Sequence, residues 1–195
     1  TPYSLGSFYD SVTSALGFRP DRHAGKIVGL AAYGDAEILG DVLRGLIVWD
    51  GHRPRWRRSS DVYLARRLAS MFPKVDLAAA YQTVLEEIIQ RYVGHYVAET
   101  GIQNVVLSGG VCANVKLNQR IHELPGVTSI YVHPNMGDGG CGTGAAILKT
   151  IERGIPIPPL RSVYLGQEYS SHELHAALSE FGLPFVWRDD IEEEV

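Results

Sequence analysis

The chain has no apolar run long enough to cross a bilayer, and no secretory signal opens it, so a membrane role is not expected. Cysteine is scarce. Cys112 and Cys141 form no C-x-x-C pair, which excludes a disulfide framework and a dithiol redox motif; they read as small packing residues of a reduced, cytoplasmic protein. Basic excess is missing as well. With 18 Lys and Arg against 22 Asp and Glu the net charge is −4, and bulk electrostatics do not favour nucleic acid as a partner. None of the 7 histidines stands four residues from another, so there is no His-x-x-x-His motif. The chain starts on Thr-Pro-Tyr-Ser rather than Met and stops where a further helix is expected, in Asp-Ile-Glu-Glu-Glu-Val; it reads as a piece of a larger protein. Its 195 residues, 45% hydrophobic and 21% charged, suffice for one sizeable core.

Asn104–Ile147 concentrates the chemistry. Val105, Val106 and Leu107 read as a buried strand running into Ser-Gly-Gly and then a helix from Cys112 to about Glu123. Gly109 and Gly110 lack Cβ atoms, so the backbone can turn sharply and let a ligand approach its N–H groups. The helix behind them favours an anion. A second unit repeats the pattern: strand Ile130–Val132, the loop Gly-Asp-Gly-Gly-Cys-Gly and a helix ending at Gly154. The two strands are expected to be parallel neighbours joined by a right-handed crossover. Asp138 is the charged group of that loop, and it reads either as a helix N-cap beside Gly139 or as a metal ligand.

Elsewhere the pattern is mostly core. Leu5, Phe8, Tyr9, Val12, Ala15 and Leu16 share a helical face that Gly17 should end, with Asp10 on its rim. His23–Asp35 reads as a short helix with glycines at 25, 29 and 34. Lys26 beside Gly25 is either a phosphate contact or a solvated lysine, since Gly-Lys alone is not a P-loop. Leu43–Trp49 reads as a strand, and Arg53, Arg55, Arg57 and Arg58 with Trp49 and Trp56 as a solvated basic hairpin. A helix is expected over Asp61–Phe72 and a long one from Asp76, its cap, to about Glu99. Tyr81, Tyr92 and Tyr96 belong to its core stripe. Ile-Pro-Ile-Pro-Pro-Leu over residues 155–160 reads as a stiff linker separating residues 1–154 from 161–195. Beyond it a helix is expected near His172–Phe181 and a strand near Pro184–Trp187, with His172 and His175 a surface pair.

The segments LGSFYDSVTSALGF, GKIVGLAAYGD, LSGGVCANVKLN, NMGDGGCGTGAA and the post-linker VYLGQEYS together resemble the O-carbamoyltransferases of the NodU/CmcH type over nearly the whole chain. The resemblance implies an α/β fold of the Kae1/TsaD type, within the actin–hexokinase–Hsp70 (ribonuclease H-like) superfamily. This chain would supply the second half of that domain and the opening of a YrdC-like one. It implies a reaction in which carbamoyl phosphate and ATP give a carbamoyl-adenylate, whose carbamoyl group passes to a hydroxyl of a small molecule. It assigns Asp10 to the nucleotide ribose, Gly25 and Lys26 to the nucleotide's neighbourhood, and Gly109, Gly110 and Asn114 to its phosphates. Asp138 falls on a catalytic ligand of a divalent iron ion. Related TsaD-type proteins carry Lys where this chain has Ser11, and the histidine ligands belong to a half absent here, so the piece alone is expected to be inactive.

Two further readings stand beside this one: a tRNA threonylcarbamoyl transferase, and a nucleotide-binding module without catalysis. The expected partners are ATP, carbamoyl phosphate, the hydroxyl acceptor, the missing halves of the same protein and a second copy of the chain. The last follows from the open cleft face of a half-domain.

Overall fold

The computed structural model describes residues 4–57 and 62–188. Arg58, Asp61, the opening Thr-Pro-Tyr and the acidic end with its expected helix lie outside the described residues. The chain divides into two compact units, Thr1–Ile157 and Pro158–Val195, the division falling inside the proline-rich segment. Among the described residues no helix is long and apolar enough to cross a membrane.

In the first unit four helices, α1 (Leu5–Ala15), α2 (Ala24–Ala31), α3 (Glu37–Arg44) and α4 (Val62–Met71), pack on the long α5 (Lys74–Thr100). Ser4 caps α1 by accepting the Ser7 N–H at 3.0 Å. Gly17, at φ +86°, ends it: its N–H reaches Ser14 O and that of Phe18 reaches Thr13 O, the two bonds of a Schellman stop. The face between buries Phe8 and Val12 completely, with Phe8 stacked 4.5 Å from Tyr81 of α5. Ile27, Leu39, Leu43, Leu77, Val84 and Leu85 complete this core. Gly34 is a packing glycine. A Cβ there would stand 2.1 Å from Val75 O, so only glycine lets the turn after α2 press against the start of α5.

Several expectations are corrected. α5 begins at Lys74 with Pro73 before it; Asp76, inside the first turn, instead accepts the Asp35 N–H at 2.8 Å. The core stripe of α5 stops short of Tyr92 and Tyr96, which are 39% and 38% exposed and pack edge-on against each other. Leu43 lies in the last turn of α3, and the strand β1 covers Ile47–Trp49 alone. β1 pairs antiparallel with β2 (Pro54–Trp56). The hairpin is basic but its turn carries Asp50, bonded to Arg55 Nε at 2.6 Å and held below the usual carboxylate range chiefly by that bond.

β3 (Asn104–Leu107) and β4 (Ser129–Val132) are parallel, residue 104 opposite 129 and 107 opposite 132. They form a two-stranded sheet with one covered face. Leu107 is buried, whereas Val106 on the other face is 73% exposed, so the strand is not buried throughout. α6 (Val115–His122) connects the strands, burying Leu117 and Ile121. α7 (Cys141–Glu152) follows β4 and buries none of its residues, leaving Ile147, Leu148 and Ile151 exposed. Cys141 at its start is likewise exposed rather than packed, while Cys112 is partly buried against the core.

The second unit holds α8 (Ser171–Glu180), begun by a reciprocal Ser170–Glu173 capping box. His175 lies edge-on to Phe185 at 5.0 Å, and residues 184–187 form no strand.

Candidate functional site

The two glycine turns meet. Gly109, at φ +104° where a side chain would be strained, donates its N–H to Met136 O at 2.8 Å. That bond ties the turn after β3, which carries Gly110, to the loop after β4, which carries Asp138. It also occupies the Gly109 N–H. Among the described residues the N–H groups of Gly110 and Val111 have no protein acceptor, so they are the donors of this turn that remain open to an anion. The helix does not start at Cys112. A single 3-10 turn, Gly110–Ala113, intervenes, with the Cys112 thiol donating to Ser108 O at 3.3 Å. Burial raises that thiol's pKa, which disfavours the nucleophilic thiolate.

Asn114 caps α6, its Oδ1 accepting the Leu117 N–H at 3.0 Å. Its amide Nδ2 donates to Gln82 Oε1 at 2.9 Å, and the side chain is buried. Gln82 is the centre of a network: Tyr9 Oη donates to its Oε1 at 2.5 Å and its Nε2 donates to Glu86 Oε1 at 2.7 Å. Arg120 of α6 closes the chain on Glu86 at 3.2 Å. Burial, then the Glu86 carboxylate, pushes the Tyr9 phenol far up, so it remains a donor. Asn114 therefore positions the turn from beneath, its amide committed to the protein. Sequence reasoning missed Gln82, Glu86 and Arg120, and gave Tyr9 a packing role alone. Gln82 and Glu86, two polar residues one helical turn apart among the apolar residues of Leu77–Ile89, were the signal for this network. Beside this network α2, α5 and α6 enclose a cleft of about 530 Å³, with Gln82 and Glu86 on its α5 wall and Lys116 and Arg120 on its α6 wall.

Gly6 links the turn to Asp10. A Cβ on Gly6 would lie 3.8 Å from Val111, so the first turn of α1 faces the 3-10 turn. Asp10, four residues on, shares that side of α1 about 6 Å further along. Its Oδ1 accepts the N–H of Asp21, which has a positive φ of 63°. Gly25 and Lys26 are exposed on α2; space is open around Gly25, and the Lys26 ammonium lies 5.5 Å above the Phe18 ring. Burial chiefly raises the Asp10 pKa, against the pull of the Asp21 N–H. The folded chain thus holds this proton more tightly than the unfolded one, and ionising Asp10 weakens folding. The penalty grows as pH rises through the ordinary carboxylate range and is complete above the folded-state value. Asp10→Asn keeps an oxygen for the Asp21 N–H. It should raise the melting temperature slightly near pH 7 and leave it unchanged near pH 3, by scanning calorimetry.

Asp138 starts a 3-10 turn, Asp138–Gly140, that leads into α7. Neither this turn nor α7 has a side-chain cap, so the N-cap reading of Asp138 fails; its carboxylate is exposed. Among the described residues Asp138 also belongs to no group of three metal-binding side chains. One carboxylate does not hold a divalent ion, and the residues of this chain alone do not fit an iron site at Asp138.

The family model described as Carbamoyltransferase N-terminus matches residues 1–147. An uncharacterized protein of Methanocaldococcus jannaschii is 31% identical over 96% of this chain and 32% of its own length. The nodulation protein NolNO of Sinorhizobium fredii is 33% identical over 86% of this chain and 26% of its own. A tRNA N6-adenosine threonylcarbamoyltransferase of Thermomicrobium roseum is 33% identical over a shorter stretch, 44% of this chain. The chain spans about a third of the length of the curated relatives it matches. With the two glycine turns joined as described and three quarters of its residues inside the match, the chain belongs to the carbamoyltransferase N-terminus family.

Proposed function

We propose that the chain is part of an ATP-dependent O-carbamoyltransferase of the cytoplasm, its first unit a half-domain of the actin–hexokinase–Hsp70 type. Water releases phosphate from carbamoyl phosphate to leave carbamate, whose oxygen attacks the α-phosphorus of ATP; the new oxygen–phosphorus bond gives a carbamoyl-adenylate as the bond to pyrophosphate breaks. A small-molecule hydroxyl then attacks the carbamoyl carbon, a carbon–oxygen bond forms, the bond to the phosphate oxygen breaks, AMP leaves and the hydroxyl proton is released. The observation that carries this reading is the family match over residues 1–147, which covers both glycine turns and Asp10.

The chain's own residues have defined parts in it. Asp10 accepts from the ribose hydroxyls, which explains keeping a carboxylate where ionisation weakens the fold. The open Gly110 and Val111 N–H groups bond the phosphate, and Gly109 and Asn114 hold that turn in place. Gly25 leaves room for the nucleotide, with Lys26 beside it to screen phosphate charge. Asp138 contributes one carboxylate toward an iron ion whose other ligands lie outside this chain, and residues 161–195 open a YrdC-like domain.

Mass spectrometry of the full-length protein with ATP, carbamoyl phosphate and candidate alcohols tests the reading; absence of any carbamoylated product from an active preparation sinks it. Modified tRNA as the sole product would favour the threonylcarbamoyl transferase, a reading supported by the shorter match to such enzymes. ATP hydrolysis indifferent to carbamoyl phosphate would point to a nucleotide-binding module. For Asp138→Ala in the full-length protein we expect loss of both bound iron, by elemental analysis, and transfer; retention of iron removes Asp138 from the ligand set.

A further inference from the structure

α5 carries a stripe in which every fourth residue is polar: Glu87, Arg91, His95 and Glu99. The first two have firm partners. Glu87 takes a two-pronged contact from Arg44, Nε at 2.8 Å and Nη2 at 2.6 Å, and the Arg91 guanidinium lies 4.7 Å above Trp49 of β1. The β1–β2 hairpin thus docks along the stripe. Its turn brings His52 onto His95, with ring centroids 5.5 Å apart. One ligand atom each from His52, His95 and Glu99 lie within 4.8 Å of one another, the one such trio among the described residues.

We propose that His52, His95 and Glu99 bind a divalent transition-metal ion of the Zn2+ class, which fastens the hairpin turn to the last turns of α5. Three features carry this. The donor set, two imidazoles and a carboxylate, is what borderline divalent ions select, and three protein ligands leave a further position for water. The spacing suits it: His95 Nε2 lies 3.3 Å from Glu99 Oε2, and two donors about 2.0–2.1 Å from a tetrahedral ion stand about 3.3 Å apart. Most tellingly, His95 Nε2 is closed to solvent yet has no hydrogen-bond partner, because the short approach to Glu99 is not aligned for one. A coordinated ion satisfies that nitrogen and the carboxylate together.

The surroundings agree. The site lies at the C-terminal end of a 27-residue helix, where the exposed carbonyls favour a cation. Trp49 and Tyr96 set their rings edge-on to His95, at centroid distances of 5.8 and 5.1 Å, and fix its plane. His52 sits on an exposed turn, so a side-chain rotation brings its nitrogen to the ion without moving α5. None of the three residues belongs to the glycine turns or to the Asp10 face, so the site is independent of the proposed transfer reaction.

Cobalt is the probe. Titrating the chain with Co2+ should give the visible d–d absorption of an ion bound to nitrogen and oxygen donors at one equivalent, displaced by Zn2+. His52→Ala removes an exposed ligand and leaves the helix intact; it should weaken Co2+ binding by at least about tenfold, as should Glu99→Gln. Asp138→Ala, and His172→Ala with His175→Ala, should leave the spectrum unchanged. No visible band in the folded wild type, or a band that survives in His52→Ala and disappears with His172 and His175, overturns the proposal.

Discussion

Asn114→Ala is expected to cost about 2–4 kcal/mol of folding free energy, read as a lower denaturation midpoint at unchanged slope. Three losses add up. The N-cap of α6 disappears, worth about 1 kcal/mol. The Gln82 Oε1 loses the Asn114 amide donor and Gln82 Nε2 loses one acceptor, in a region closed to water. Leaving a buried polar group short of partners costs about 1–3 kcal/mol. The third loss is geometric, since the 3-10 turn holding the open N–H groups hangs on this cap. Asn114→Asp separates these effects. It keeps the cap acceptor but brings a second carboxylate toward Glu86, and should be as harmful as alanine or worse. If Asn114→Ala instead unfolds at the wild-type midpoint, the network does not support the turn.

The position of this network explains what the sequence could and could not reveal. Local signals were legible. Gly17 and Gly154 stop helices with the expected positive φ, the strand–glycine–helix pattern gave two parallel strands, and Trp49-Asp-Gly-His-Arg-Pro gave a hairpin. What failed depends on distant partners. Val106 matches a buried pattern, but among the described residues the sheet has two strands and nothing covers its second face. Tyr92 and Tyr96 continue the period of α5 beyond the point where neighbouring helices cover it. Asp76 looked like a cap because helix boundaries depend on Pro73 and on a contact from Asp35, 41 residues away. Gln82 with Asn114, and His52 with His95, are likewise pairs that only the folded chain brings together.

The loop carrying Asp138 yields the second large effect, in activity rather than stability. A Cβ at Gly140 would stand 2.1 Å from Asn135 O, a backbone atom that no side-chain rotation can move. Ordinary carbon–oxygen contact lies beyond about 3 Å, so Gly140→Ala must open the Asn135–Gly140 turn by roughly 1 Å. The same turn bonds Gly140 N–H to Gly137 O at 2.9 Å and offers Met136 O to Gly109, so opening it displaces Asp138 and loosens its tie to the other glycine turn. A misplacement of about 1 Å in a catalytic group can cost about 100-fold. Carbamoyl transfer by full-length Gly140→Ala is therefore expected to fall by at least about 100-fold. Its circular dichroism should stay near wild type, because the loop is largely exposed and contributes nothing to the core. Gly142→Ala, two residues on, is the control: nothing lies within 4 Å of its Cβ, and alanine inside α7 should stabilise that helix by about 0.5–1 kcal/mol with transfer preserved. Equal activity in the two variants would mean that the close packing at Gly140 does not set the position of Asp138. A loss confined to Gly140→Ala would tie the reaction to the contact that holds the two glycine turns together.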